Sequence, residues 1–246
     1  MIEIQNLKKS FNGKQVLKDI RLTIPEGKIM VVVGISGCGK TVLLRSIIGL
    51  VRPDAGKIIV QGEDITRINR SRLFEVRKKF GMLFQGAALF DSMTVEENIA
   101  LPLKEHTHLT KSEIRVKVRE KLAMVGLHDI EEKKPSELSG GMKKRVGLAR
   151  ALIMEPRYVL FDEPTTGLDP IMSDAIDQLV LDTSKQLNIT SIVVTHDMIS
   201  AFKIGDRIAM IHDGKVIFTG TTDEFMHSKN SRVRQFIEGR ANHLLA

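Results

Sequence analysis

The sequence predicts an α/β protein: a largely parallel core, an antiparallel β lobe near its start, and a helical block set into its middle. Three observations carry this prediction. The runs "IMVVVGI" (29–35), "YVLFDE" (158–163) and "ITSIVVTH" (189–196) have the near-continuous hydrophobicity of strands buried on both faces. "MIEIQNL" (1–7) and "IRLTI" (20–24) instead alternate, as half-buried antiparallel strands do. From about Thr94 to Met154 the pattern turns helical before the strands return after Pro156.

Taken in order, a turn at Gly27 feeds "KIMVVVG" (28–34), followed by a glycine loop and a helix, "KTVLLRSIIGL" (40–50). "GKIIVQG" (56–62) and "KFGMLFQ" (79–85) read as further strands. Thr110 and Glu113 have capping-box spacing, and Ile114, Val118, Leu122 and Val125 follow at helical intervals up to Gly126. "RIAMIHDGKVIF" (207–218) reads as a hairpin turning at Asp213-Gly214. Helices are expected near 170–187 and 197–204, and the C-terminal "RQFIEGRANHLLA" (234–246) is expected to fray. The expected organisation is one continuous domain over 1–246. Residues 1–86 and 156–246 form the core and antiparallel β lobe, and 87–155 the helical block.

Composition narrows the class. The chain has 246 residues, 42% hydrophobic and 27% charged, enough for a full core. No apolar run approaches the roughly 18–20 residues that span a bilayer. "MIEIQNLKKSF" lacks the apolar centre of a signal peptide, so nothing suggests export. One cysteine excludes an internal disulfide framework and fits a reducing compartment. The net charge of +7 is spread over 67–79, 111–121, 143–145 and 229–240, with one tyrosine and no tryptophan. Without a basic-aromatic stripe for base stacking, these stretches are read as solvated helix faces and no nucleic-acid partner is expected.

The chemistry begins at "GISGCGKT" (34–41), which fits G-x-x-x-x-G-K-[ST] between an apolar strand and a helix. Its glycines let backbone N–H groups wrap a β-phosphate. Lys40 is placed to neutralise β/γ oxygens, and the Thr41 hydroxyl to bind Mg²⁺. "YVLFDE" ends in two acids at the strand edge where α/β proteins bind ligands. Asp162 is the expected Mg²⁺ ligand, directly or through water, and Glu163 the general base for an attacking water. Gln85 and His196 also end apolar runs and are expected at the same γ-phosphate. Cys38 leaves two readings open: a thiol made reactive by surrounding N–H donors and Lys40, or an inert small side chain. "LSGGMKKR" (138–145) is a second potential anion cradle at a helix start, one more than a single nucleotide needs.

Together these residues resemble the ATP-binding subunit of ABC transporters over nearly the whole chain. The resemblance implies a P-loop NTPase core of ABC type with an antiparallel β subdomain and an inserted helical subdomain. It places Phe11 at the adenine-stacking position with Val16 nearby. Gly34, Ser36, Gly37, Cys38, Gly39, Lys40, Thr41 and Val42 fall in and beside the Walker A loop. Gln85 is the Q-loop glutamine and a further Mg²⁺ ligand, Leu138–Met142 the signature, 158–163 Walker B, "TGLD" (166–169) the D-loop and His196 the switch histidine. In that family two subunits pair head to tail. Ser139, Gly140 and Gly141 would therefore serve the γ-phosphate held by the partner's P-loop, which explains the second cradle. The implied cofactors are ATP and Mg²⁺.

Within the family, Met142 stands where glutamine is usual, the Q-loop continues "QGAALFDSMTVEENIALPL" (85–103), and the end reads "SRVRQFIEG" (231–239). This combination is similar to the ATPase of Mla-type (toluene-tolerance) phospholipid transporters. The similarity implies a homodimer peripheral to the cytoplasmic face of the inner membrane. Its partners would be an integral membrane permease, an MCE-domain lipid-binding protein and, in some systems, a STAS-domain protein. Gln85 to Leu103 is the expected coupling surface, with Leu89 and Phe90 either docking on the permease or packing in the helical core. A transporter with other cargo, a soluble ABC ATPase such as those of iron–sulfur assembly, and a non-catalytic nucleotide-gated scaffold stay open as alternatives. Intact Glu163 and His196 argue against the last.

Overall fold

In the computed structural model, which describes residues 1–239, the first strands are β1 (Ile2–Phe11), β2 (Lys14–Ile24), β3 (Ile29–Val33), β4 (Ala55–Val60) and β5 (Glu63–Asp64). They are followed by β6 (Phe80–Leu83), β7 (Tyr158–Asp162), β8 (Thr190–Thr195), β9 (Arg207–His212) and β10 (Lys215–Thr221). The helices are α1 (Lys40–Ile47), α2 (Arg70–Arg77), α3 (Val95–His106), α4 (Lys111–Met124) and α5 (Gly140–Leu152). After these come α6 (Pro170–Gln186), α7 (Met198–Ile204), α8 (Thr222–Met226) and α9 (Ser231–Ile237). The tail expected to fray is helical as far as Ile237, and its residues 240–246 lie outside the described residues. The described residues form two compact units, Met1–Ile68 with 194–239, and Asn69–Val193.

In the first unit the strands run in the order β5-β4-β1-β2-β10-β9-β3. β1 pairs antiparallel with β2 and β4, whereas β3 pairs in parallel with β9 from Met30↔Arg207 to Val33↔Met210. The antiparallel lobe and the parallel edge therefore both follow the predicted patterns. All five residues of β3 are buried, as its unbroken hydrophobicity requires. Asp213-Gly214 turns the β9–β10 hairpin with φ of 47° and 70°. A second such turn, Asn12-Gly13 with φ of 49° and 79°, joins β1 to β2 and makes both strands longer than the alternation alone indicated.

In the second unit β7 pairs in parallel with β6, from Phe80↔Tyr158 to Leu83↔Phe161. Every residue of β7 is buried, and the Phe80 and Tyr158 rings stack with centroids 4.9 Å apart. This unit contains the whole stretch 87–155 expected to be helical, as α3, α4 and α5. α4 starts at the expected capping box, the Thr110 N–H donating to Glu113 Oε2 at 2.7 Å and the Glu113 N–H to Thr110 Oγ1 at 3.3 Å. Ile114, Val118, Leu122 and Val125 form its buried stripe, none more than 6% exposed. An equivalent box at Thr94–Glu97 starts α3. Among the described residues no helix is long and apolar enough to cross a membrane.

One sequence expectation is overturned. The basic run at 143–145 was read as a solvated face, but Lys144 is only 5% exposed. Positions 144, 148 and 151 lie on one side of α5, and all three are buried. The lysine at the start of that stripe is turned inward with them.

Candidate active site

In the first unit, β3 delivers the chain into the loop 34–39 and α1 carries it away. Gly39 caps α1 with φ of 107°, and a Cβ there would meet Leu17 Cδ2 at 2.7 Å and Val16 Cγ1 at 3.2 Å. The loop is thus pressed against β2, with Val16 directly behind it. Lys40 folds back over the loop, its ammonium donating to the carbonyls of Gly34 (2.8 Å) and Ile35 (3.2 Å). Ile35, Ser36 and Gly37 form an exposed tip, Cys38 is 8% exposed, and Thr41 and Val42 are half-buried. The first turn of α1 has no acidic residue, which leaves its positive end for an external anion. Phe11, 43% exposed at the end of β1, has the Lys9 ammonium 5.3 Å from its ring centroid. His196 is exposed just beyond β8, and Asp197 after it caps α7 by accepting from the Ile199 N–H at 2.8 Å.

In the second unit, β7 ends at the buried carboxylate Asp162 (3% exposed), and the buried Glu163 (9%) follows it. Glu163 has a left-handed backbone, φ 52°, unusual for a non-glycine residue and a common mark of functional sites. The Thr166 hydroxyl donates to its Oε2 at 3.1 Å, fixing the carboxylate's direction. Behind it, the Lys144 ammonium donates to the backbone carbonyl of Gln85 and, at 3.4 Å, to that of Glu163. Burial pushes the Lys144 ammonium below the ordinary lysine range, while the charges of Asp162 and Glu163 pull it back up. The Gln85 side chain is exposed.

Ser139 caps α5, its Oγ accepting from the Met142 N–H at 3.3 Å. That bond uses a lone pair and leaves the hydroxyl hydrogen to donate outward. Ser139 and Gly140 are exposed, Gly141 is buried, and no acidic residue occupies the first turn. In "TGLD", Asp169 caps α6 by accepting from the Met172 N–H at 3.0 Å. Phe90 is 50% exposed and Leu89 half-buried, so Phe90 is not a core residue. The loop carrying Phe90 is fixed by Asn98, fully buried in α3. Its side chain accepts from the Phe90 N–H (2.8 Å) and donates to the carbonyls of Phe90 (3.1 Å) and Thr94 (2.9 Å).

The sequence reading gave no role to the side chains of Thr166, Lys144 and Asn98, although it placed Thr166 in the D-loop and Asn98 in the expected coupling segment. Thr166 carried a signal, lying three residues beyond Glu163 in the turn after β7. The other two act on backbone groups distant in sequence or across a loop, and a charge run or a polar residue inside a helix does not announce such bonds.

The sequence pattern of the family described as "ABC transporter" matches residues 17–166. The chain belongs to the ABC transporter family, and its class is that of an ATP hydrolase. It is 45% identical over 239 residues to the "probable ribonucleotide transport ATP-binding protein mkl" of Mycobacterium tuberculosis, spanning 97% of this chain and 67% of that relative. It is 43% identical over 242 residues to the "intermembrane phospholipid transport system ATP-binding protein MlaF" of Haemophilus influenzae, spanning 98% and 92%. Among solved structures it resembles the dimeric, post-hydrolysis ATP-binding cassette MJ0796 bound to ADP and Pi. That match has a TM-score of 0.83 and 32% identity, and covers 90% of this chain and 99% of the other. It also resembles cbiO1 from Clostridium perfringens, part of the cbiONQ transporter complex, with TM-score 0.84, 29% identity, and coverage of 96% and 94%.

Proposed function

We propose that the chain hydrolyses ATP as one half of a head-to-tail homodimer and so energises phospholipid transport between membranes. Phe11 and Val16 hold the base, and the loop from Gly34 to Val42 with Lys40 holds the phosphates. Ser139, Gly140 and Gly141 close on the partner's γ-phosphate. Thr41, Asp162 and Gln85 would hold Mg²⁺, which would supply charge neutralisation at the phosphate oxygens. The donor set fits that ion. A hydroxyl, an amide oxygen and one carboxylate suit a hard cation that also takes phosphate oxygens, and no group of three or more His, Cys, Asp or Glu forms a protein-only cage among the described residues. Glu163 takes a proton from the attacking water, and His196 and Gln85 contact the γ-phosphate.

The observation that carries the catalytic reading is the buried, left-handed Glu163 with its carboxylate aimed by Thr166. The lipid cargo is supported by the near full-length match to a relative named for phospholipid transport. On this reading the partners are a membrane permease, an MCE-domain protein and, in some systems, a STAS-domain protein, with the chain peripheral on the cytoplasmic face of the inner membrane. A ribonucleotide cargo is the second reading, because relatives of 45% identity bear that name.

Purification of the tagged chain from native membranes, with mass spectrometry of co-purifying proteins, separates the readings. A multi-span permease together with an MCE-domain protein is the expected result. A permease with a soluble nucleotide-binding protein would replace the lipid cargo, and soluble partners alone would remove transport.

A further inference from the structure

α5 starts at the signature and lies along the Q-loop, fixed to it at three successive inward positions. Lys144 donates to the Gln85 carbonyl. One turn on, Gly147 allows close approach: a Cβ there would be 2.8 Å from Leu83 Cδ1 and 3.2 Å from Ala87 Cβ. A further turn on, Arg150 donates from Nη2 to the Ala87 carbonyl at 2.7 Å and from Nη1 to the Ala88 carbonyl at 2.8 Å. Ala87 and Ala88 are both left-handed, with φ of 59° and 49°, a conformation that disfavours residues with a Cβ and persists only where the surroundings impose it. The guanidinium captures the carbonyls that this geometry exposes.

Lys144 does one thing more. The ammonium that holds Gln85 also donates to the carbonyl of Glu163, at 3.4 Å. One buried cation therefore fixes the backbone from which the Q-loop glutamine projects and the backbone of the acid that follows the β7 strand. We infer that Lys144 is a positioning residue for hydrolysis: bridging the Gln85 and Glu163 carbonyls, it sets the two side chains in register with each other and with the helix that begins at Ser139. The inference rests on the proposed roles of Glu163 and Gln85 and names what aligns them.

The test compares Lys144→Met and Lys144→Gln with wild type, Arg145→Met and Glu163→Gln in Mg-ATP hydrolysis, with melting temperature measured on the same samples. Arg145 is the structural control. It lies on the same helix but donates to the Val125 carbonyl at 3.0 Å, away from the Q-loop. Lys144→Met should lower kcat about 10- to 100-fold, the order expected for a misaligned reacting group, with KM for ATP within about twofold. Lys144→Gln keeps two N–H donors without the charge and should fall between Met and wild type. Arg145→Met should lower the melting temperature and leave kcat per folded molecule unchanged.

Lys144→Met with wild-type kcat per folded molecule overturns the inference, as does a loss that merely follows stability in the manner of Arg145→Met. If no Lys144 variant folds, the lysine is a packing tether and the positioning role is withdrawn. Glu163→Gln separates the levels. Full loss there with an active Lys144→Met overturns only this inference, whereas an active Glu163→Gln overturns the underlying assignment as well.

Discussion

Replacing Glu163 by glutamine isolates basicity from everything else the residue does. The two side chains have the same shape, so the buried position (9% exposed) stays filled. The left-handed backbone at φ 52° is no less tolerable to glutamine, and the amide oxygen can still accept from Thr166 Oγ1, now at 3.1 Å. What is lost is the capacity to take a proton from water. Positioned general bases contribute about 10²- to 10⁴-fold, which is about 3 to 5 kcal/mol of barrier. Phosphate release under saturating Mg-ATP should fall by that factor while fluorescent-nucleotide binding and melting temperature stay close to wild type. Thr166→Val leaves the base but removes the bond that aims it, and should give a smaller loss, about tenfold. A Glu163→Gln protein that turns over within about tenfold of wild type refutes the reasoning, because the surviving rate would need another base.

The remaining predictions address the surface, the loop and the fold. Phe90→Glu changes an exposed residue, so nucleotide binding should be intact and stability within about 0.5 kcal/mol, while stimulation of ATPase activity by the membrane complex is lost; loss of nucleotide binding would mark Phe90 as structural instead. Cys38 is 8% exposed, so alkylation of the native protein should be slow, should abolish activity once complete, and should be slowed further by ATP; full activity after complete modification would show the thiol to be irrelevant. Thr110→Ala removes the α4 cap and should cost about 1 kcal/mol, a melting shift of about 2–4 °C for a chain of this size. The Glu113 carboxylate is held below its ordinary value of 4.5 chiefly by the Thr110 side chain. Its stabilisation is therefore present above that pH and lost as pH falls through the lowered value. The melting difference between Thr110→Ala and wild type should narrow in acid, and a difference that widened would contradict the sign.

Local and periodic features were readable from the chain. Continuous apolar runs gave the buried strands, alternation the antiparallel lobe, and Thr110 with Glu113 the start of α4, because each is decided by residues a few positions apart. The strand–loop–helix frame of Gly34 to Thr41 was readable for the same reason, since it is one contiguous segment. Asn12-Gly13 was equally readable and was passed over, which shortened both flanking strands. Lys144 was not readable. Its partner Gln85 is 59 residues away and the bond goes to a backbone carbonyl, which has no residue signature. A basic triplet suggests solvent; only the buried stripe through Leu148 and Ala151 shows which of the three faces inward. Asn98 was hidden in the same way, its acceptors and donors being the backbone of the preceding loop.

The central claim is that the signature at Ser139 completes a partner's nucleotide site. Ser139 and Gly140 are exposed at the start of α5, and the hydroxyl hydrogen is free of the Met142 cap bond. The direct measurement is the mass of Glu163→Gln by light scattering on a sizing column, with and without ATP, alone and combined with Ser139→Arg. The account predicts a monomer without nucleotide, a dimer with ATP, and a monomer again in the double variant, which still binds ATP with the affinity of the single one. A double variant that dimerises with ATP would contradict it, since the signature would then play no part in joining the two subunits.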